Sequence, residues 1–327
     1  MGVIGAGAWG TAMAQTLAVA GRQVTLWAFE QEVVDSINEA RENKLYLPGA
    51  KLHQNIRATR DISQLASLDA VLVVTPAQHM RATLIDFVPH ARGGMPVVLC
   101  SKGIEISSRK FMSQVLEEIM PSAMPAVLSG PSFAVDVVKG LPTAVTLACA
   151  DWTVGAKLIK SVAAPTFRPY YTKDVLGAEI GGAVKNVLAI VCGLVLGKGL
   201  GRSAHAAIIA RGFAEMTRLG TALGCNPETL TGLCGLGDLV LTCSSEQSRN
   251  MSFGMALGQG ISYDEYMKDK NVVVEGAATA PALKALSQSK GVEMPICHAM
   301  ANILAGDEEV DGVIMRLLAR VHKSEIS

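Results

Sequence analysis

Residues 3 to 10 read Val-Ile-Gly-Ala-Gly-Ala-Trp-Gly, which sets Gly5, Gly7 and Gly10 in the spacing G-x-G-x-x-G between an apolar strand and a helix-forming run. In such a stretch the first glycine allows a tight turn, the second lets the backbone approach phosphates, and the third lets the helix pack closely on the sheet. The positive end of the following helix favours a bound anion. The stretch therefore predicts a dinucleotide site, although a glycine-rich turn also occurs simply as a tight packing device.

The residues around this turn extend it to a strand–helix–strand unit. Gln23 to Trp27 read as the second strand, and Glu30 follows Gly10 by 20 positions, near where an acid that binds the ribose is expected. Only Met1 to Ile4 are available for the first strand, whose usual length is about five to six residues. The short first strand therefore favours a true start of the protein upstream of Met1.

Composition places the chain among globular proteins with two domains and limits its partners. It has 327 residues, half of them apolar, with 29 Lys plus Arg against 29 Asp plus Glu. A net charge of zero gives no field that would attract nucleic acid or an anionic membrane. We therefore expect any anion site to be local, with no nucleic-acid partner.

Cysteine usage and hydropathy indicate a cytoplasmic protein. The seven cysteines are widely spaced without a C-x-x-C pair, which favours reduced thiols over disulfides or zinc. Residues 2–21 are apolar enough to imitate a signal peptide, but they lack a basic start, so we do not expect export. The longest other apolar stretch is interrupted by Glu179, Lys185 and Asn186, so we do not expect an integral membrane protein.

The pattern of elements changes near residue 172. Before it, β-branched runs alternate with helical patterns, and we predict strands near 23–28, 69–75, 96–101, 125–129, 143–148 and 166–172. After it, amphipathic helices are predicted near 174–196, 204–223, 279–290, 296–305 and 309–320. The chain is therefore predicted to be an α/β protein with an N-terminal Rossmann-like, doubly wound, mostly parallel sheet (1–172) and a C-terminal all-helical domain (173–327).

Lys185 is the strongest candidate for proton transfer. It lies in a helical pattern where nearly every neighbour is small or apolar, so it is either buried or faces a cleft. Partial burial lowers the pKa of a lysine toward neutral pH, while a nearby carboxylate raises it. The alternative is a structural lysine whose stem crosses the core and whose amine reaches solvent.

Other polar groups occupy positions where ligands bind. Asp238 stands at the edge of an apolar turn, either as a functional charge or as a helix N-cap. Ser248-Arg249-Asn250 enters a helix, as a solvated cap or as a phosphate cradle. Ser101-Lys102-Gly103 and Ser129-Gly-Pro-Ser132-Phe-Ala134 end predicted strands at the carboxyl edge of the sheet, and ordinary use of these residues in loops is the alternative. The six histidines form no H-x-x-x-H pattern, so we expect no metal.

Eight short motifs, in this order, resemble those of the NAD(P)-dependent glycerol-3-phosphate dehydrogenase family in its bacterial form. They are Gly5-Ala-Gly-Ala-Trp-Gly10, Tyr46-Leu-Pro-Gly49, Ser101-Lys-Gly103, Leu128-Ser-Gly-Pro-Ser-Phe-Ala134, Gly182-Ala-Val-Lys-Asn186, Gly235-Leu-Gly-Asp238, Ser248-Arg-Asn250 and Val274-Glu-Gly276. The resemblance covers about residues 3 to 320. It implies interconversion of dihydroxyacetone phosphate, a phosphorylated triose, and sn-glycerol 3-phosphate with NAD(H) or NADP(H), for phospholipid synthesis, in a cytoplasmic homodimer without a metal.

The resemblance also implies roles at matching positions. Lys185 would give a proton to the C2 oxygen when the ketone is reduced and accept it in the reverse reaction. The implied substrate contacts are Lys102, Gly130, Ser132, Lys185, Asp238, Ser248, Arg249 and Asn250. The implied cofactor contacts are Gly5, Gly7, Ala8, Trp9, Gly10, Phe29, Lys102, Ala134, Arg249, Val273 and Glu275.

Two other classes of protein stay open. A dehydrogenase of the 3-hydroxyacid or 6-phosphogluconate type also has a lysine on the first helix after its nucleotide domain, but the segments 235–238 and 248–250 argue against it. A dinucleotide-binding sensor without turnover would keep the glycines but need neither Lys185 nor Asp238. The presence of both favours an enzyme.

The residues after the second strand predict the cofactor preference. Ala28-Phe29-Glu30 contains no arginine, and Glu30 can accept a hydrogen bond from a ribose hydroxyl while its charge repels a 2′-phosphate. We expect NADH to be used at least as well as NADPH, measured as kcat/KM with each. A much larger kcat/KM with NADPH would contradict this expectation.

Overall fold

The computed structural model describes residues 1–268 and 273–318, and its first domain is built on one sheet. The strands are β1 (Gly2–Ile4), β2 (Val24–Trp27), β3 (Ile56–Thr59), β4 (Val71–Val73), β5 (Pro96–Leu99), β6 (Met124–Ser129), β7 (Thr143–Cys149) and β8 (Phe167–Thr172). Their order in the sheet is β3-β2-β1-β4-β5-β6-β7-β8. Neighbours are parallel except β6 and β7, which are antiparallel. The predicted doubly wound, mostly parallel sheet is confirmed.

Helices cover the sheet and then form the second domain. Those of the first domain are α1 (Ala8–Val19), α2 (Gln31–Ala40), α3 (Ala77–Phe87), α4 (Met112–Ile119), α5 (Ala134–Val138) and α6 (Trp152–Val162). After β8 follow α7 (Val175–Gly197), α8 (Gly201–Ala222), α9 (Pro227–Thr231), α10 (Asp238–Cys243), α11 (Arg249–Gly258), α12 (Tyr263–Met267), α13 (Glu275–Ser289), α14 (Pro295–Ala305) and α15 (Val310–Leu318). Within the described residues after Thr172, every regular element is a helix.

Three hydrophobic clusters reflect this architecture. Alternate residues of the strands point to opposite faces, so that Val3 joins the cluster under α1 while its neighbour Ile4 joins the cluster under α3 and α4. The third cluster surrounds α7. We propose domain limits of 1–172 and 173–327, because the last strand ends at Thr172 and the helix at the centre of the third cluster begins at Val175.

Helix α7 is the central helix of the second domain. It is long and apolar enough to cross a membrane by length and composition, but 89% of its most apolar window is buried inside the protein. Glycines bring α11 into backbone contact with it: a Cβ at Gly193 would lie 2.0 Å from the carbonyl oxygen of Met251, and one at Gly254 would lie 2.0 Å from that of Ile190. The close approach of α11 to α7 therefore requires glycine at these two positions.

The predicted elements differ from the observed ones in several places. β3 was not predicted, because Ile56-Arg-Ala-Thr59 is a short edge strand with the exposed Arg57 in it. α13 begins at Glu275 rather than near 279, and the short helices α9, α10 and α12 were not predicted. The last predicted helix ends at residue 320, and its final two positions lie outside the described residues.

Candidate functional site

The glycine-rich turn between β1 and α1 has the geometry its spacing predicts. Gly5 has φ +108°, and a Cβ on Gly10 would lie 1.8 Å from the carbonyl oxygen of Gly5. A Cβ on Gly7 would meet nothing within 4 Å, so this glycine borders open space. Gly7 is the N-cap of α1 and provides no side-chain cap, which leaves helix-start N–H groups for an anion.

Unpaired polar atoms collect around the adjacent edge of the sheet. In the described part of the chain, the buried side-chain atoms without a hydrogen-bond partner are Trp9 Nε1, Thr75 Oγ1, Ser129 Oγ, Glu275 Oε2 and Thr279 Oγ1. Buried polar groups are nearly always paired, so such a cluster indicates a ligand site. Three belong to the segments at the carboxyl ends of β1, β4 and β6, and the other two lie on α13. These residues fit a polar ligand such as a dinucleotide.

Glu275 reaches this edge from the second domain. A Cβ on Gly103, which follows β5, would lie 3.2 Å from Thr279 Oγ1 and 3.6 Å from Glu275 Oε2. Burial raises the pKa of Glu275 to about 7, although a hydrogen bond from the backbone N–H of Ala77 and the charge of Arg249 act in the opposite direction. Glu275, a residue of the second domain, thus lies close to the first domain and to Arg249.

Lys185 is buried and paired with a carboxylate. It lies on α7 with 7% of its surface exposed, and its Nζ donates to Asp238 Oδ1 at 2.7 Å and to Thr242 Oγ1 at 2.8 Å. The alternative of an amine that reaches solvent is therefore wrong. The small and apolar neighbours on α7 bury the stem, and α10 supplies the partners.

Asp238 joins Lys185 to Lys102. Its Oδ2 accepts from Lys102 Nζ at 2.7 Å, and Lys102 follows β5 in the first domain. Asp238 is the first residue of α10, and Gly237 occupies the N-cap position, so the alternative of Asp238 as N-cap is wrong. The structure thus brings together Lys102, Asp238 and Lys185 from two domains.

Burial and charge set the protonation of this group. Desolvation lowers the pKa of Lys185 to about 8; Asp238 acts to raise it and Lys102 to lower it further. For Asp238, burial alone would raise the pKa, but the two lysines outweigh burial and the pKa is lowered. Asp238 is therefore a carboxylate at neutral pH, and Lys185 can exchange its proton near that pH.

The segment after β6 contacts the same group. Gly130 has φ +143°, and its carbonyl oxygen accepts from Lys102 Nζ at 3.3 Å and from Ser132 Oγ at 3.0 Å. A Cβ at Gly130 would lie 2.9 Å from the Cα of Val145. The local backbone therefore requires glycine, and it orients a carbonyl toward Lys102.

Ser248, Arg249 and Asn250 have three different environments. Ser248 Oγ accepts from the N–H of Met251 at 3.3 Å and caps α11. Asn250 donates to Asn186 Oδ1 at 3.1 Å and accepts from the N–H of Gly276 at 2.9 Å. Arg249 is exposed and, among the described residues, has no hydrogen bond or ion pair. Its guanidinium is therefore available for an anion.

The remaining predicted residues lie at strand ends or helix starts. Ala8 is the first residue of α1, and Ala134 is the first of α5. Phe29 follows β2 and is 71% exposed, and Val273 precedes α13 and is 40% exposed. A large exposed aromatic ring at the end of β2 is suited to stacking on a base.

Sequence reasoning missed Thr242 and the linking role of Asn186. Thr242 is four residues after Asp238 on α10, a spacing that puts both side chains on one helix face, so the signal was present. Asn186 is next to Lys185 and holds Asn250 through a contact between α7 and α11. Nothing in the local sequence indicates that contact.

Among the described residues, neither the acidic and histidine side chains nor the cysteines form a reactive or metal-binding cluster. No group of three or more His, Cys, Asp or Glu there is placed to hold a metal ion. All seven cysteines are free and buried, as predicted for reduced thiols.

A glycine-rich anion turn, a cluster of unpaired polar atoms and a buried lysine–carboxylate pair lie where the two domains meet. This combination is that of a two-domain dehydrogenase with a site for a nicotinamide dinucleotide.

The family models and relatives identify the chain within this class. The model of the NAD-dependent glycerol-3-phosphate dehydrogenase N-terminus matches residues 1–154, and that of the C-terminus matches 174–315. Glycerol-3-phosphate dehydrogenase [NAD(P)+] of Maricaulis maris is 62% identical over 98% of this chain and 96% of its own length. The enzyme of Caulobacter vibrioides is 58% identical over 99% of this chain and 98% of its own. The chain belongs to the NAD-dependent glycerol-3-phosphate dehydrogenase family.

Solved structures agree with this assignment. Glycerol-3-phosphate dehydrogenase of Coxiella burnetii superposes with a TM-score of 0.93 at 36% identity, covering 98% of both chains. A ketopantoate reductase of Ralstonia eutropha, at 15% identity and a TM-score of 0.59 over 94% of this chain and 98% of that one, shares the fold alone. The other dehydrogenase classes and the sensor without turnover are not supported.

Proposed function

We propose that the chain interconverts dihydroxyacetone phosphate and sn-glycerol 3-phosphate with NAD(P)H, and that Lys185 is its proton donor and acceptor. The reaction is that of the family. The role of Lys185 rests on one observation, the burial of its amine against Asp238 and Thr242 beside Lys102. Loss of NADH or NADPH absorbance on adding dihydroxyacetone phosphate tests the reaction, and no loss with either cofactor would contradict it.

The residues of the chain supply the proton and the electrostatics of the reaction. A nicotinamide dinucleotide held at the glycine-rich turn of Gly5, Gly7 and Gly10 would supply the hydride chemistry at C2. Lys185 gives its Nζ proton to the C2 oxygen, which stays bonded to C2 and becomes the hydroxyl group of the product. Lys102 and Lys185 together carry two positive charges, and Asp238 carries one negative charge. The remaining positive charge stabilises the developing alkoxide.

Arg249 is proposed to bind the substrate phosphate. Its guanidinium is exposed and unpaired in the described structure, at the start of α11, and a guanidinium can form two parallel hydrogen bonds with phosphate oxygens. Ser248 and Asn250 hold the start of this helix in place and lie close enough to add polar contacts. Gly130 and Ser132 are proposed to complete the substrate contacts from the segment after β6.

The dinucleotide is proposed to lie across the carboxyl edge of β1, β2, β4 and β5. Gly5, Gly7 and Gly10 would hold the pyrophosphate at the start of α1. The polar groups without partners offer further hydrogen bonds, and the other proposed contacts are Ala8, Trp9, Phe29, Lys102, Ala134, Arg249, Val273 and Glu275.

Cellular location, physiological role and assembly form a further part of the proposal. Seven free, buried cysteines favour a reducing compartment, which supports a cytoplasmic location. A role in supplying glycerol phosphate for phospholipid synthesis and a homodimeric state rest on the family resemblance alone.

The pKa of Lys185 predicts the pH dependence of the reduction. Its pKa is lowered to about 8, so the ammonium form that donates a proton is present below that pH and is lost above it. We expect kcat/KM for ketone reduction to fall as pH rises through about 8, because kcat/KM reports groups of the free enzyme. A profile that stays flat across this range would exclude Lys185 as the donor.

Arg249→Ala is expected to raise KM for dihydroxyacetone phosphate far more than it weakens NADH binding. Loss of a charged hydrogen bond costs about 2 to 4 kcal/mol, which is tens to hundreds of fold. Steady-state kinetics and an NADH titration measure the two effects. Arg202→Ala, which removes another exposed arginine at the start of α8, is the matched control. An unchanged KM in Arg249→Ala would move the phosphate site elsewhere, with Lys102 the next candidate.

Lys185→Met is expected to leave a folded protein that binds NADH but has lost nearly all turnover. Methionine keeps the length and the apolar stem, so packing on α7 survives. General acid–base groups contribute about 10² to 10⁴-fold, and Lys185 should exceed the low end because its charge also stabilises the alkoxide. Turnover, NADH affinity and Tm are measured together. A near-normal kcat would leave the mechanism without its proton carrier.

A further inference from the structure

The motif Tyr46-Leu-Pro-Gly49 has no role in the mechanism. It belongs to the segment 43–49, which forms hydrogen bonds to the glycine-rich turn. Asn43, in this segment, is fully buried, and its Nδ2 donates to the carbonyl oxygen of Ala6 at 2.7 Å and to Thr11 Oγ1 at 2.8 Å. Ala6 stands between Gly5 and Gly7. The hydrogen bonds from Asn43 therefore fix the peptide whose orientation decides which backbone groups face the open space beside Gly7.

The same segment holds Glu30. Tyr46 Oη donates to Glu30 Oε1 at 2.8 Å, and the N–H of Tyr46 donates to Asn43 Oδ1 at 3.1 Å. Glu30 is the N-cap residue of α2 but makes no capping hydrogen bond with its side chain. The carboxylate is thus oriented by Tyr46 and not by its own helix, and Oε2 has no hydrogen bond in the described structure.

Glu30 and the turn are neighbours at the edge of the sheet. The N–H of Gly5 donates to the carbonyl oxygen of Trp27 at 3.0 Å, and Glu30 follows Trp27 by three positions. A dinucleotide whose pyrophosphate lies at the turn extends its adenosine ribose toward the end of the second strand. Asn43 and Tyr46 therefore act on two successive parts of the same ligand site.

We propose that Asn43 and Tyr46 are positioning residues: Asn43 shapes the turn for the pyrophosphate, and Tyr46 holds Glu30 so that it favours NADH over NADPH. This inference rests on the proposed dinucleotide site. With Oε1 bound to Tyr46, Oε2 is left to accept from the ribose 2′-hydroxyl, and the fixed charge opposes a 2′-phosphate. Burial, and then the hydrogen bond to Glu30, raise the pKa of Tyr46 to about 12, so Tyr46 remains a donor at neutral pH.

The variant Tyr46→Phe is expected to change the affinity for NADH more than the affinity for NADPH. Without the hydroxyl, Glu30 is free to turn into solvent, and we expect NADH affinity to fall about three- to tenfold with NADPH affinity changed less than about twofold. Calorimetric titration of the purified protein with NADH and NADPH gives both values without turnover. Tyr170→Phe removes the same atom from a half-exposed tyrosine on β8, which is at the other side of the sheet from β2, and should change neither.

Two further variants make the test decisive. In a Glu30→Ala background, Tyr46→Phe should have no further effect on the NADH to NADPH preference, because Tyr46 acts through Glu30. Asn43→Asp should weaken both cofactors alike, since the pyrophosphate is common to them; Tm shows whether that variant folds, and Tyr46→Phe decides the proposal if it does not.

The outcomes distinguish this inference from the proposed function. If the wild-type protein binds both cofactors and Tyr46→Phe leaves their ratio unchanged, the positioning role of Tyr46 is overturned while the dinucleotide site stands. If the wild-type protein binds neither, the dinucleotide site itself is wrong.

Discussion

The carboxylate of Asp238, buried between two ammonium groups, is the contact on which the arrangement of the site depends. Its two oxygens hold Lys102 and Lys185 at 2.7 Å each, one from each domain. A buried charge is costly unless it is paired, so each member needs the others. Because two cations face one anion, the group retains one positive charge. In the proposed function this charge stabilises the ketone oxygen as it becomes negative, and the same desolvation that makes the charge costly would strengthen that effect.

Close packing of α7 keeps this charge in place. Glycines at the crossing of α7 and α11 let the two backbones touch, and a Cβ at Gly276 would lie 2.4 Å from the carbonyl oxygen of Asn186. These contacts bring the starts of α11 and α13 beside Lys185, so Arg249 and Glu275 reach the site from fixed positions. A helix of membrane-like composition is here the centre of a protein core.

Much of the fold was predictable because local chemistry decides it, and much of the site was not. Apolar β-branched runs predicted most of the strands, and the spacing of Gly5, Gly7 and Gly10 predicted the turn that can bind an anion. The ion pairs of Asp238 join residues 136 and 53 positions apart, which no local pattern reports. Candidate residues could be chosen individually by type and position, but their pairing required the packing of α10 against α7. The edge strand β3 was missed because it is short and carries a charge, and its pairing with β2 makes it a strand.

The second domain docks on the first through carboxylates at helix starts. Glu179 on α7 accepts from the N–H and hydroxyl of Ser113 at the start of α4, at 2.7 Å and 2.6 Å, and Glu275 accepts from the N–H of Ala77 at the start of α3. Helix-start N–H groups lack partners within their own helix, so a carboxylate from another domain satisfies them. Burial raises the pKa of both acids to about 7, from 4.5, so the folded state binds more protons than the unfolded state between these values. Ionisation of both acids thus opposes stability as pH rises through this window. Glu179 and Glu275, which join the domains, are therefore only partly charged at neutral pH. Asp238 is paired with two lysines and stays fully charged.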